Sequence, residues 1–266
     1  MSVGNDTVAL LEAFAIAVEA NSGLPAGPDD RVLDAEGLAL KCFYHGISSL
    51  YLQRGTTVPE LRASFFDPAS MAILARATIE SFLVFHYVFA EPQSSQEREI
   101  RYLAWVLADL MERQGLPATL PESQAKQRQE QREIESIKDK IRRNLEFQKL
   151  SKKQQKDLID NKRWRRKSWT EIARSAGLSQ LHAEHAYRYL CSYAHSGSLS
   201  VLQVRQAQSR EFQVFLAERA LRLINVSLAF MISAYSSMFN RAEAALSANA
   251  QLRTKVDEWV QLGAEA

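Results

Sequence analysis

Glycine and proline are scarce in this chain, ten and seven in 266 residues, and nearly all fall between long runs in which apolar residues recur at three- and four-residue intervals. A sheet protein needs turn residues roughly every 8–12 positions, while helices need them only at their ends. The spacing predicts an all-α protein with strand content near zero. At 46% hydrophobic and 24% charged, the composition is that of an ordinary globular chain long enough to bury a substantial core.

Capping signals divide the runs. Asn5-Asp6-Thr7 offers an N-cap to a first helix reaching about Ala20, and a loop at 23–28 separates it from a second at 30–54. Asp67-Pro68, a capping residue followed by proline at the first helical position, opens an apolar helix that runs to Ala90. The next begins near Ser94 and ends at Gly115. Ser151-Lys-Lys-Gln154 and Ser168-Trp-Thr-Glu171 both read as capping boxes, the second opening a short helix with Gly177 just beyond it. Ser179 caps a helix that Gly197 stops, and helices at 209–245 and 249–262 bring the expected count to nine or ten. The widest apolar stripes lie at 71–89, 179–195 and 209–245, which are expected to form the core of a single helical domain over 1–266.

Charge is segregated. Residues 126–167 hold sixteen Lys or Arg against seven Asp or Glu, about +9, which leaves the remainder near −7 for a total of +2. Ile134, Ile137, Ile141 and Leu145 keep helical spacing there and give a narrow apolar seam on a solvated helix. Residues 121–167 are therefore expected to be a charged helical insertion or arm that projects from the body or lies across it. At its end Trp164 interleaves with Lys162, Arg163, Arg165, Arg166 and Lys167. That mixture suits stacking on bases and neutralising phosphates, although a solvated face or a docking arm produces the same run.

Cys42 and Cys191 are far apart and neither has a second cysteine nearby, so no disulfide framework or Cys-x-x-Cys site is implied and a reducing cytoplasm fits. The opening Met-Ser-Val-Gly-Asn-Asp-Thr lacks the basic and apolar regions of a signal peptide. The longest uncharged run, 223–240, carries Asn225 and several serines, which suits a buried core helix better than a membrane span. No P-loop, Rossmann glycine fingerprint, Gly-x-Ser-x-Gly elbow or glycosidase carboxylate pair is present, and no cofactor is implied. His182 and His185 stand three apart, a spacing metal sites use, with no third ligand evident, so no metal is expected.

The stretch from 187 to 197, Tyr-Arg-Tyr-Leu-Cys-Ser-Tyr-Ala-His-Ser-Gly, carries the most chemistry. At about 100° per residue Arg188 and His195 return to within roughly 20° of one another after two turns, with Ser192 between them. His195 can exchange protons near neutral pH, Arg188 can grip a phosphate oxygen and Ser192 can orient either. Together they suit RNA cleavage without a metal, the imidazole moving the proton while the guanidinium steadies charge on phosphorus. The alternative is a Glu184–Arg188 surface pair, with His195 in a last turn whose dipole favours a cation. Because a helix C-terminus presents carbonyls, the catalytic reading needs arginines from elsewhere, as a symmetric homodimer would supply.

Arg76 and Glu80 stand one turn apart in an otherwise apolar helix. Burying an ion pair costs several kcal/mol of desolvation unless it is well paired. Either the two residues satisfy one another as a structural buckle, or they join the Arg188 stripe in one polar pocket.

Arg188 followed by six residues and His195 resembles the Arg-x(4–6)-His signature of the HEPN superfamily. These are helical proteins that include metal-independent RNases and toxins as well as inactive nucleotide- or RNA-binding members. Tyr189 follows the arginine where active members often carry a small polar or charged residue. Over about 35–240 the chain is also similar to an uncharacterised bacterial HEPN-like family. The shared features are Arg76 and Glu80, then Trp169, Ile172, Ala173 and Gly177, then Tyr189, Ser192 and His195. The resemblance implies an HEPN-like multi-helix bundle, a homodimer and contact with RNA. It assigns no activity.

Two other readings stay open. Residues 168–190, from Trp169-Thr-Glu-Ile-Ala-Arg-Ser-Ala-Gly through the following helix, also read as a helix-turn-helix with a basic run upstream, which implies DNA binding. That reading requires Gln180, His182, Ala183 and His185 to be free to reach base edges. A non-catalytic interaction module is the third.

Overall fold

The first helix, α1 (Val3–Glu19), is capped by Ser2, whose side chain accepts from the Asn5 N–H, rather than by the Asn5-Asp6-Thr7 segment. The structure, a computed structural model, describes residues 2–25 and 29–265; Ala26, Gly27 and Pro28 of the expected 23–28 loop lie outside them. Thr7 is buried inside α1, and its hydroxyl donates to Asn225 Oδ1 at 2.8 Å while Asn225 Nδ2 donates to the Val3 carbonyl at 3.3 Å. This pairing explains how a fully buried amide sits in the longest uncharged run, since a buried polar group is tolerated only when its hydrogen bonds are made.

Helix α2 (Arg31–Gln53) leads into a two-stranded antiparallel hairpin, β1 (Thr56–Val58) and β2 (Ala63–Phe65). Helix α3 (Pro68–Phe85) starts as its sequence requires, with Asp67 accepting from the Ser70 N–H at 2.9 Å and Pro68 in the first turn. A π-turn, His86–Ala90, follows it. Pro68–Ala90 is long and apolar enough to cross a membrane by composition alone, and 61% of its apolar window is buried inside the protein.

Next come α4 (Ser95–Arg113), α5 (Pro121–Arg143), α6 (Leu145–Gln148), α7 (Lys152–Asp160), α8 (Trp169–Ser175), a second π-turn (Leu181–Ala186), α9 (Tyr187–Ala194), α10 (Ser198–Gln206), α11 (Arg210–Met238), α12 (Asn240–Ser247) and α13 (Ala250–Glu265). The described residues are thus all-α apart from the hairpin.

The chain divides into two compact units, Met1–His86 with Trp169–Ala266, and Tyr87–Ser168. One domain with an arm beginning at 121 is the expectation from sequence. The boundary falls at 87 instead because the seam of α5 finds its partner in the helix before it.

In the first unit α3 packs against α2 and α11, and α1 and α13 pack against α11. Leu10, Phe14, Met71, Phe82, Phe85 and Tyr235 are fully buried side chains of this core. Helices α1 and α2 therefore belong to the core beside the three stripes expected from sequence. Helix α13 approaches α11 so closely that a Cβ at Gly263 would lie 2.6 Å from Phe230 Cε2 and 2.7 Å from Val226 Cγ1. The 209–245 run breaks at Phe239, which is extended and packs its ring at a tilt of 43°, centroid 4.5 Å from that of Tyr235.

In the second unit Ile134, Ile137 and Ile141 of α5 are buried with Ile100, Leu103 and Leu107 of α4, and Phe147, Leu158 and Ile159 close the cluster. The narrow apolar stripe suffices because the other face of α5 stays in water. The Ser151/Gln154 capping box at the start of α7 forms with both of its bonds.

Candidate active site

Helices α8 and α9 end in the same way. Helix α8 closes with Gly177 at φ +92°, its N–H on the Arg174 carbonyl and the Leu178 N–H on the Ala173 carbonyl. This is the Schellman pattern, in which a left-handed residue lets the last carbonyls be satisfied. Helix α9 closes in the same way, with Ser196 at φ +52° as the left-handed residue, the Ser196 N–H on the Tyr193 carbonyl and the Gly197 N–H on the Ser192 carbonyl at 2.7 Å. Gly197 is needed for a different reason. A Cβ there would fall 2.6 Å from Ser192 Oγ and 3.3 Å from the Ser192 carbonyl.

His195 is the C-cap of α9. Its Nε2 lies 3.4 Å from Arg76 Nη1 of α3. A guanidinium only donates, so the contact requires the imidazole tautomer with its proton on Nδ1. Arg76 Nη2 also pairs with Glu80 Oε1 at 3.1 Å, and the Tyr187 hydroxyl donates to that same oxygen at 2.7 Å. The Arg76 guanidinium lies 6.0 Å from the centre of the Tyr187 ring.

The Arg76 and Glu80 side chains keep 21% and 31% of their exposure, so the pair is half-buried and mutually satisfied, as the buckle reading requires, and of the 188–195 stripe only His195 meets it. Desolvation works against the Arg76 charge, but Glu80 and Tyr187 outweigh it and leave its pKa above the ordinary arginine value. Burial, followed by the hydrogen bond to Glu80, pushes the Tyr187 phenol upward. Tyr187 therefore remains a donor. Arg76 Nε is buried without a partner, which marks the guanidinium as incompletely satisfied.

The other two members of the expected stripe do not join this cluster. Arg188 is exposed and makes no hydrogen bond or ion pair among the described residues. It lies about 100° around the helix from Tyr187, and α9 turns Tyr187 toward α3. The Glu184–Arg188 pair is not formed either, because Glu184 binds Arg174. Ser192 is half-buried with its Oγ against Gly197, so it serves the helix end, and no hydrogen bond joins it to Arg188 or His195 among the described residues. The helical spacing of Tyr187, Leu190 and Tyr193 assigns Tyr187 to the core from sequence. Its aromatic body fits that assignment, and only its spacing from Glu80 across two helices, which sequence does not display, reveals the polar role.

The basic run at 162–167 is largely neutralised within its own unit. Lys162 pairs with Glu112 at 2.8 Å, Arg163 with Asp157 at 3.3 Å, Arg166 with Glu97 at 3.9 Å and Lys167 with Glu91, while Arg165 donates to the Lys167 carbonyl. Trp164 packs edge-on against Tyr87 at 5.7 Å and onto the α4–α5 cluster. The indole is thus committed to packing and is not presented for base stacking, and Lys162, Arg163, Arg166 and Lys167 already have carboxylates.

The helix-turn-helix reading meets a comparable difficulty. Of the residues that would have to reach base edges, Gln180 and His185 are exposed, but Ala183 is 1% exposed and His182 is half-buried, held by Ser179 Oγ at 3.0 Å. Ala183 and His182 lie within the π-turn at 181–186.

A family model described as a family of unknown function, DUF5677, matches residues 61–212. That span contains α3, α8 and α9, and with them Arg76, Glu80, Tyr187 and His195. No curated protein matches the chain. No solved structure matches it.

Proposed function

We propose that this chain, which belongs to the family of unknown function DUF5677, is an HEPN-like cytoplasmic protein that binds RNA as a homodimer and cleaves it without a metal. The observation that carries the reading is the meeting of His195 Nε2 and Arg76 Nη1 at 3.4 Å. The objection from the helix C-terminus is answered by two features: the Schellman turn occupies the Ser192 and Tyr193 carbonyls, and α3 supplies a cation at that end.

In the proposed reaction a phosphate oxygen takes the place of His195 on Arg76, which frees Nε2. The imidazole then accepts the proton of a ribose 2′-hydroxyl as that oxygen attacks phosphorus, and the bond to the 5′ oxygen breaks. The leaving oxygen takes a proton from the imidazolium of a second copy or from water, and the product is a 2′,3′-cyclic phosphate. Arg76 stabilises the charge that builds on the phosphoryl oxygens, and Arg188, which lies outside the Arg76 cluster, reaches them from the second copy of the homodimer.

The test is cleavage of single-stranded RNA in excess EDTA at low salt, where phosphate contacts are strongest. Cyclic phosphate ends from the wild type, and loss of cutting in folded His195→Asn and Arg188→Ala variants, support the proposal. RNA binding without cutting makes the protein a non-catalytic binding member, and absence of both removes the RNA reading altogether. Preferential binding of duplex DNA would restore the helix-turn-helix alternative.

A further inference from the structure

A cavity of about 380 Å³ lies between the π-turn at 181–186, α11 and α13. We infer that it is a binding site for a small amphipathic anion, a free carboxylate with a medium-length apolar tail. The proposal is independent of the nucleolytic reading.

Three observations carry it. The walls are mostly apolar: Ala186, Leu181, Leu223, Val226, Trp259 and Leu262 line the space. Its size falls within the range of roughly 300–1,000 Å³ usual for small-molecule sites, which combine an apolar lining with a few placed polar groups.

The polar groups here are of one sign. Arg219 and Arg222 stand at the rim, both exposed, and no acidic residue is among those lining the cavity. Neither arginine has a carboxylate partner among the described residues. Arg219 is instead held over the rings of Tyr189 and Phe215, at 5.4 and 5.7 Å. Aromatic faces position a guanidinium while leaving its N–H donors free. This differs from Arg101, Arg113, Arg166 and Arg174, all of which the protein pairs with its own carboxylates.

The third observation is the π-turn itself. Leu181, His182, His185 and Ala186 form one wall, and a wider turn of this kind is an irregularity found frequently at functional sites. His182 is fixed there by Ser179. Burial lowers its pKa, against the opposing effect of the Gly263 carbonyl, so it contributes a neutral wall and leaves the positive charge to the arginines.

The experiment is calorimetric titration of the full chain with monomeric decanoate, decanol and decyltrimethylammonium. We expect one decanoate per chain, decanol at least about tenfold weaker, a difference of about 1.4 kcal/mol, and no binding of the cation. An Arg219→Gln/Arg222→Gln variant, whose changes are on the surface, should lose the preference for decanoate and keep its affinity for decanol. Ala186→Phe should block both ligands, with an unchanged circular dichroism spectrum as the check on folding. Equal decanoate affinity in the arginine variant overturns the proposal. So does capture by phosphatidylglycerol vesicles without binding of free decanoate, which would make the surface a membrane contact.

Discussion

His195 Nε2 and Arg76 Nη1 lie 3.4 Å apart although 119 residues separate them in sequence. The contact joins the end of α9 to the middle of α3, and the polar groups around it are arranged on Arg76: Glu80 neutralises it, Tyr187 holds Glu80, and His195 meets Nη1, while Nε is left without a partner. Removing any one member leaves the others with an unmade bond in a half-buried setting, so the group behaves as a unit.

Arg76→Met should therefore destabilise the protein by about 1–2 kcal/mol, less than a fully buried pair because both side chains keep some contact with water. Arg76→Met with Glu80→Gln should cost less than the sum of the two single changes, since the double variant strands no charge. Thermal melts of the three proteins decide it. Small additive effects would show that the pair is an ordinary surface contact.

The end of α9 allows a sharper test. Ser196 adopts a left-handed conformation that costs a non-glycine residue roughly 1–2 kcal/mol, so Ser196→Gly should stabilise the protein, by somewhat less than that once the entropy of glycine is counted. Gly197→Ala should destabilise it by about 1 kcal/mol. Ser192→Ala should recover part of the loss by removing the oxygen at 2.6 Å. Gly197→Ala at no cost, in a urea melt, would mean that α9 does not end in this way.

These residues also mark how far the sequence is legible. Asp67-Pro68, the Ser151 capping box and Gly177 announce their structures because each is a local device whose partners lie within a turn. Arg76, Glu80 and His195 stand out as charged or titratable residues in apolar surroundings, and the structure brings them together. The apolar seam of α5 is visible too, but not that α4 covers it, which is what places the unit boundary at 87. Local signals fail where geometry is set by packing. The end of α11 at Phe239 follows no glycine or proline, the three-residue strands are too short for alternation, and the π-turn before α9 shifts the phase at which its side chains meet the core. Which face of α9 meets α3 is a tertiary outcome, and it brings Tyr187 inward and leaves Arg188 outside.

In the second unit, Arg101 is the most heavily used cation. Its side chain is 7% exposed and pairs with Glu91 and Glu97 while donating to the Tyr87 carbonyl at 2.8 Å, and its guanidinium lies 4.2 Å from the Tyr87 ring centre. Arg101→Met should cost about 3–5 kcal/mol because it leaves two carboxylates without their main counter-charge. Lys167→Met, at 38% exposure, should cost under about 1 kcal/mol. A melt showing the two variants equally stable would contradict the ranking of these contacts.

Acidification should weaken the first unit through His45 and His182. Burial lowers the pKa of His45 from 6.5, with help from the Lys41 charge, and burial lowers that of His182 from 6.5 against the Gly263 hydrogen bond. His45 Nδ1 is buried without a partner, so protonating that ring in the folded state is costly. Below about pH 6.5 the unfolded chain takes up a proton at each site and the folded chain does not, so the stability that these residues contribute is complete above 6.5 and is lost as pH falls toward their folded values. The melting temperature should fall between pH 7 and pH 5.5, while Glu97, lowered from 4.5, gives up its contribution only at lower pH. A His45→Gln/His182→Gln variant should have a flatter profile over that interval, whatever its absolute stability. An unchanged slope in the double variant would assign the acid sensitivity to other groups.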